Sequence, residues 1–162
     1  MKKQKNGFVN VVNIVKKYKK MIKAVGTIFL SLSTTRILLG LRSEDSSHPL
    51  TWSFFGGKVD NNETLGIALQ RELEEELINF PTIIKTFPLD NFVSNDDGFN
   101  YASFTSIIQD EFHPKLNNEH VGYAWVNIGA WPKPLHAGTK LILQNKNNIK
   151  KLNLLIDRMN SN

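Results

Sequence analysis

Residues 56–79 read GGKVDNNETLGIALQRELEEELIN, and six carboxylates fall within those 24 residues: Asp60, Glu63, Glu72 and the consecutive Glu74, Glu75 and Glu76. Apolar side chains recur at 65, 68, 69, 73 and 77, the spacing of a helix with one buried stripe, so the pattern predicts a helix over 64–77. At about 100° per residue, Glu72, Glu75 and Glu76 project from neighbouring positions, whereas Glu74 faces elsewhere. Like charges four residues apart cost about 0.2–0.5 kcal/mol even when exposed. Arg71, placed i,i+4 to Glu75, offsets part of that cost, and a cation would offset more. Clustered carboxylate oxygens suit a hard divalent ion, magnesium or manganese, which keeps several waters and binds substrate phosphate. The competing reading is an acidic helix face that is merely solvated.

At 162 residues and 41% hydrophobic composition, the chain is expected to form one main domain with a substantial core. It contains no cysteine, which excludes a disulfide framework and a thiolate zinc site and fits a reducing, cytoplasmic setting. The formal charge of +5 is unevenly distributed. Eight of the 20 basic residues are lysines within residues 1–23, which carry no acid, leaving 12 basic against 15 acidic residues over 24–162. The chain thus divides into a basic N-terminal extension, 1–23, and a mildly acidic domain, 24–162. Such an extension is most often a solvated terminus, and it is also the segment through which nucleic acid would bind. The apolar run after the lysines is interrupted by Gly26, Thr27 and Ser31. It is too short for a membrane span and lacks the form of a secretory signal.

The remaining pattern alternates strands and helices. A helical spacing over 8–15 falls in the extension. KAVGTIFLSLS and RILLGLR, joined by two threonines, read as a hairpin. Residues 43–52, with Pro49, read as a loop. Two further strands flank the turn-forming NDDG of 95–98, another covers YAWVNI of 123–128, and a terminal helix is expected over 139–158. Strands with helices on either side make an α/β layered domain.

The pattern Gly57, five residues, Glu63, seven residues, Arg71-Glu72-Leu73-x-Glu75-Glu76 resembles the Nudix box, the signature of hydrolases acting on nucleoside diphosphates linked to another moiety. GTIFLSLSTTRILLGLRS is similar to the family's first strands, TWSFFGGK to its approach to the box and NNEHVGYAWVNI to a later strand, so the likeness extends over roughly 24–143. It implies an α/β/α sandwich with a mixed sheet between helices. Three positions depart from the pattern: Ile78 stands where a glycine is usual, Asn79 where an apolar residue is usual, and Phe55 where a proline is usual.

The resemblance implies Glu72, Glu75 and Glu76 as ligands of Mg2+ or Mn2+, with the Gly56 carbonyl completing the set, and Arg71 and Glu63 as residues that orient the cluster. Dense negative charge on a pyrophosphate repels a water nucleophile. Divalent ions neutralise it, and a carboxylate accepts the proton. The family places that base in the box, where Glu75 is the candidate, or on a downstream loop, where Glu119 is the candidate as base or further ligand. His120 is expected as a structural group or a substrate contact. Arg42 is expected to hold a phosphate, and Trp52, Phe99 or Tyr101 to stack on a base, against the ordinary alternative of aromatic core.

The subgroup marks expected about fifteen residues past the box are absent, since Ser94, Asn95 and Asp96 stand there. The expected partner is therefore a small nucleoside diphosphate derivative of open identity, with no membrane association and with a homodimer left open. Two rival readings are a non-hydrolytic nucleotide-sensing module, which would have lost box acids that this chain retains, and a nucleic-acid-associated protein acting through the basic extension.

Overall fold

The computed structural model describes residues 21–96 and 98–161. Most of the basic extension, including the helix expected over 8–15, lies outside the described residues. The centre of the molecule is β1 (Ile22–Ser31), whose residues from Val25 onward are all buried. A strand buried on both faces needs neighbours on both edges, and β1 has them. Along one edge it runs parallel to β6 (Phe99–Ile108), from Ile22↔Phe99 to Ser31↔Ile108. The other edge is shared by two antiparallel strands. β4 (Phe55–Lys58) pairs with residues 24–27, and β2 (Arg36–Arg42) pairs with Phe29 and Leu30. The expected hairpin of β1 and β2 is thus present.

β2 also pairs with β3 (Trp52–Ser53) and with β7 (His120–Asn127), and β5 (Lys85–Val93) lies antiparallel to β6. The result is one mixed, seven-stranded sheet. Neither β3 nor β4 stands out in the sequence, because two- and four-residue strands are too short to show a period.

Alternation along β1 and β2 divides the core into two layers. Val25, Phe29 and Leu38 face α1 (Leu65–Glu76) and pack with Phe55, Ala68, Leu69, Leu73 and Leu77. Ile28, Leu30, Ile37 and Leu39 face the opposite way, toward α2 (Ala137–Leu143) and α3 (Lys146–Asn160), and pack with Ile142, Leu143 and Leu152. Helices therefore cover both faces of the sheet, the α/β/α sandwich that the sequence pattern implies.

Thr64 caps α1, its hydroxyl accepting from the Ile67 N–H at 3.3 Å, and the helix ends as Leu77 turns to extended geometry. The departure at 79 has a structural use. The Ile78 N–H donates to the Lys115 carbonyl at 2.8 Å. The Asn79 side chain accepts from the Lys115 N–H at 2.6 Å and donates to the His113 carbonyl at 3.2 Å. A glycine and an apolar residue could not make the Asn79 clasp.

The C-terminal region differs from expectation. The single helix predicted over 139–158 is two helices, broken at Gln144 and Asn145, because Asn145 uses its side-chain oxygen to cap α3 through the Asn147 N–H at 2.9 Å. An asparagine that bonds to the backbone in this way favours a new helix start over continuation.

Leu73, 2% exposed in the stripe of α1, gives a direct test of this packing. Leu73→Ala is expected to lower the unfolding free energy by about 2–5 kcal/mol, measured by urea denaturation.

Candidate active site

β4 and α1 bring the box together. Gly56 has φ +140°, and a Cβ there would sit 2.1 Å from the Val25 carbonyl oxygen, so only glycine lets β4 lie against β1 at this point. Its N–H donates to Glu76 Oε2 at 2.7 Å. At Gly57 a Cβ would meet the Glu72 carboxylate within 2.4–2.6 Å, so the bare backbone makes room for that side chain. Two consecutive glycines thus form a cradle for two glutamates one helical turn apart.

Arg71 ties the helix to the loop before it. Its Nε and Nη2 donate to the two Glu63 oxygens at 2.8 and 2.9 Å, its Nη2 also to the Lys58 carbonyl at 2.9 Å, and its Nη1 to Glu72 Oε1 at 2.7 Å. Glu75, more exposed, lies 3.5 Å from Nη1. Glu74 is turned away and bonds to Gln70.

The electrostatics separate the acids. The Arg71 hydrogen bonds, helped by the Asp60 N–H, hold the Glu63 carboxyl down at about 2. Burial pushes Glu72 above its ordinary range despite Arg71, and the charges of Glu75 and Glu119 add to the push. Glu76, 2% exposed, is pushed up to about 9 by burial first and by Glu119 and Glu72 next, against the opposing Gly56 N–H. Glu72, Glu76 and Glu119 therefore feel one another's charge. Among the described residues no three acids or imidazoles are drawn together as around a bound metal.

Glu72, Glu75 and Glu119 border a cavity of about 710 Å³. Of the residues singled out in the sequence, Gly56, Glu72, Glu75, Glu119, Arg42, Phe99 and Tyr101 line it. Glu63, Arg71, Glu76, Trp52 and His120 do not: Glu76 lies buried behind Gly56, and Glu63 and Arg71 hold the cluster from outside the cavity. Trp52 packs, half-buried, against the core beneath α2 and α3. His120 is buried against the Phe55 ring, with ring centroids 4.9 Å apart, in space left by Gly40, where a Cβ would meet the imidazole at 2.6 Å.

The structure adds cavity residues that the sequence reading passed over: Phe92, Lys58, Ser53, His48 and His136. Phe92 is 38% and Phe99 36% exposed, large apolar rings left open to the cavity. The signal for the histidines was weak, since each sits in a proline-containing loop. They meet because the Trp52 N–H donates to the Pro134 carbonyl and the His136 N–H to the Trp52 carbonyl, both at 2.9 Å.

The NUDIX domain model matches residues 20–145. The chain belongs to the NUDIX family. It is a Nudix-type hydrolase, of the family that acts on nucleoside diphosphates linked to other moieties. Solved structures share the fold. The E. coli ORF135 protein is 26% identical, with a TM-score of 0.60 over 81% of this chain and 91% of that one. The MutT NUDIX hydrolase of Burkholderia pseudomallei is 24% identical, with a TM-score of 0.55 over 75% and 96%. The M. smegmatis Nudix hydrolase RenU is 19% identical, with a TM-score of 0.62 over 82% and 86%. No curated protein matches the chain.

The Glu63–Arg71 pair predicts an acid-side dependence of Nudix-fold stability. Glu63 ionises near 2 when folded and near 4.5 as an isolated group, so between those values the unfolded chain binds a proton that the folded one does not. The pair's contribution is present above about 4.5 and lost as pH falls toward 2. Glu63→Gln is expected to flatten this part of the acid limb in chemical denaturation at stepped pH.

Proposed function

We infer that this Nudix hydrolase cleaves the pyrophosphate bond of a nucleoside diphosphate linked to another moiety, by attack of water on phosphorus, with Mg2+ or Mn2+ bound at the box. The observation that carries this reading is the Gly56–Gly57 cradle, which holds the Glu72 and Glu76 carboxyl groups one helical turn apart and, through Glu72 and the two glycines, borders the cavity of about 710 Å³.

The donor set fits a hard cation. Its atoms are carboxylate oxygens with no sulfur or imidazole among them, and a carboxyl held near 9 by burial and like charge is one whose ionised form a cation stabilises. Glu72, Glu76 and the Gly56 carbonyl would hold the ion, with Glu75 or Glu119 as a further ligand. When bound, the ion supplies neutralisation of the phosphate oxygens and acidification of water.

Every other role belongs to the chain. Arg71, clasped by Glu63, orients Glu72. Glu119, exposed at the cavity, accepts the proton of the attacking water on its carboxylate, with Glu75 the alternative base. Arg42 holds a phosphate, and Phe92 and Phe99 offer apolar faces to a base. The domain is taken as residues 24–162, preceded by the basic extension 1–23, in the cytoplasm. Among the described residues no helix is long and apolar enough to cross a membrane.

A panel of nucleoside diphosphate derivatives, assayed for phosphate-containing products with magnesium and then manganese, tests the reaction. Glu76→Gln is expected to remove most turnover while leaving the fold intact, and near-normal turnover at saturating magnesium would sink the assignment.

Stability supplies a readout independent of turnover. A cation that binds the folded cluster but not the unfolded chain raises stability by about 2.7 kcal/mol at a hundredfold excess over its Kd. Thermal melts are expected to rise with magnesium or manganese in the parent and not in the Glu72→Gln, Glu76→Gln double variant. Equal shifts in both would mean a solvated acidic face.

Glu119→Gln is expected to lower kcat by roughly 10²–10⁴ with little change in substrate affinity. A loss below about tenfold would move the base to Glu75.

A further inference from the structure

We propose that Arg42, His48 and His136 form a second anion-binding wall in the cavity, so that the substrate is a nucleoside polyphosphate carrying phosphate beyond the bond cleaved, not a nucleotide ending in a neutral sugar. The substrate assignment rests on the hydrolase reading above; the wall itself rests on geometry.

The three groups line the same cavity as Glu72 and Glu75 and come from two stretches of the chain, 42–48 and the loop before α2. Arg42 ends β2. Its Nε donates to the Ser47 carbonyl at 2.8 Å and its Nη2 to the Ser47 hydroxyl at 3.1 Å. Its charge is therefore positioned by neutral groups, and among the described residues no carboxylate forms an ion pair with it.

His48 is held in the loop after β2 at φ +58°, its carbonyl accepting from the Thr51 hydroxyl at 2.7 Å. Its ring stands edge-on to that of His136, centroids 4.7 Å apart at 73°. His136 Nδ1 accepts from the Gly138 N–H at 3.1 Å. The proton of the neutral ring is then on Nε2, leaving a donor free of the cap.

Three nitrogen-bearing side chains are thus crowded where, among the described residues, no acid pairs with them. The crowding has a cost, since burial first, then His48 and Arg42, hold His136 below the ordinary histidine range. An anion shared among them reverses that cost, and charge-assisted bonds of this kind are the strong class. Ser53, 4% exposed, also borders the cavity, and among the described residues its buried hydroxyl has no partner. A polyphosphate would fit both walls, one part toward the glutamates that would hold a cation and its further oxygens toward Arg42 and the histidines.

The test uses the His48→Asn, His136→Asn double variant of the full chain. Asparagine tolerates the left-handed backbone at 48 and serves as a helix N-cap at 136, so the imidazoles go while the local backbone stays. The first arm titrates inorganic tripolyphosphate without metal, following the histidine ring resonances by NMR and affinity by calorimetry. The expected result is movement of the His48 and His136 resonances in the parent and affinity weaker by at least about tenfold in the variant, the loss that follows removal of one charge-assisted bond. Equal affinity in both proteins, or no binding to the parent, would overturn the wall.

The second arm compares a nucleoside triphosphate with a nucleoside diphosphate sugar in the presence of magnesium. The ratio of their kcat/KM values is expected to fall at least about tenfold in the variant, and an unchanged ratio would overturn the substrate assignment. Histidine-dependent tripolyphosphate binding together with turnover of no member of the nucleoside diphosphate panel, with magnesium or manganese, would uphold the wall and refute the hydrolase reading.

Discussion

The close approach of β4 to β1 is the constraint on which the rest depends. Four antiparallel pairs, from Ala24↔Lys58 to Thr27↔Phe55, bring a glycine backbone to the base of α1. A side chain at 56 would strike the Val25 carbonyl and one at 57 would strike the Glu72 carboxylate. The same contact satisfies a buried strand edge, aims an N–H at Glu76 and leaves Glu72 space beside Arg71. Phe55, where the family pattern has a proline, adds to this arrangement. Its buried ring supports α1 on one side and His120 on the other. Packing and site geometry are therefore one problem in this region, solved by the same four residues.

The cavity has a different logic. Its acidic side is carried by α1, the strand before it and Glu119, whereas the opposite walls are assembled from loops joined by backbone bonds between residues 52 and 134–136 and by the ring contact of His48 with His136. The aromatic rim is likewise a cross-strand product, since Phe92 and Tyr101 are register partners on β5 and β6. The residues of the box are concentrated in a short stretch, and the other residues that line the cavity are dispersed. A family defined by its box can therefore keep one chemistry and vary what it acts on by changing loops.

That division also explains what was legible in the sequence. The helix over 64–77, the hairpin, the strands of the β5–β6–β7 region and the acids of the box carry local signals: a 3.6-residue stripe, runs of β-branched residues and a fixed spacing of charges. The break at Asn145 was not legible, because a 139–158 periodicity persists across it while one side-chain cap restarts the helix. The meeting of His48 with His136 was not legible either, since it depends on a bridge between Trp52 and Leu135 more than eighty residues apart. Trp52 and His120 show a third kind of limit. An aromatic or imidazole on a strand reads the same whether it faces a core or a ligand, and the choice depends on which face the neighbouring strands cover.

The parallel ladder between β1 and β6 has a temporal consequence. Its register joins residues 77 positions apart, from Ile22↔Phe99 onward, so its formation must close a long loop before it returns any hydrogen bonds, a topology associated with slow folding. Residues 55–76, containing β4 and α1, lie wholly inside that loop. The helix can form early from its own stripe and cap, but its glutamates reach the Gly56–Gly57 backbone only when β4 has docked on β1. Until then the acids stay in water along the helix, and the cost of burying Glu72 and Glu76 falls on the step that docks β4 on β1.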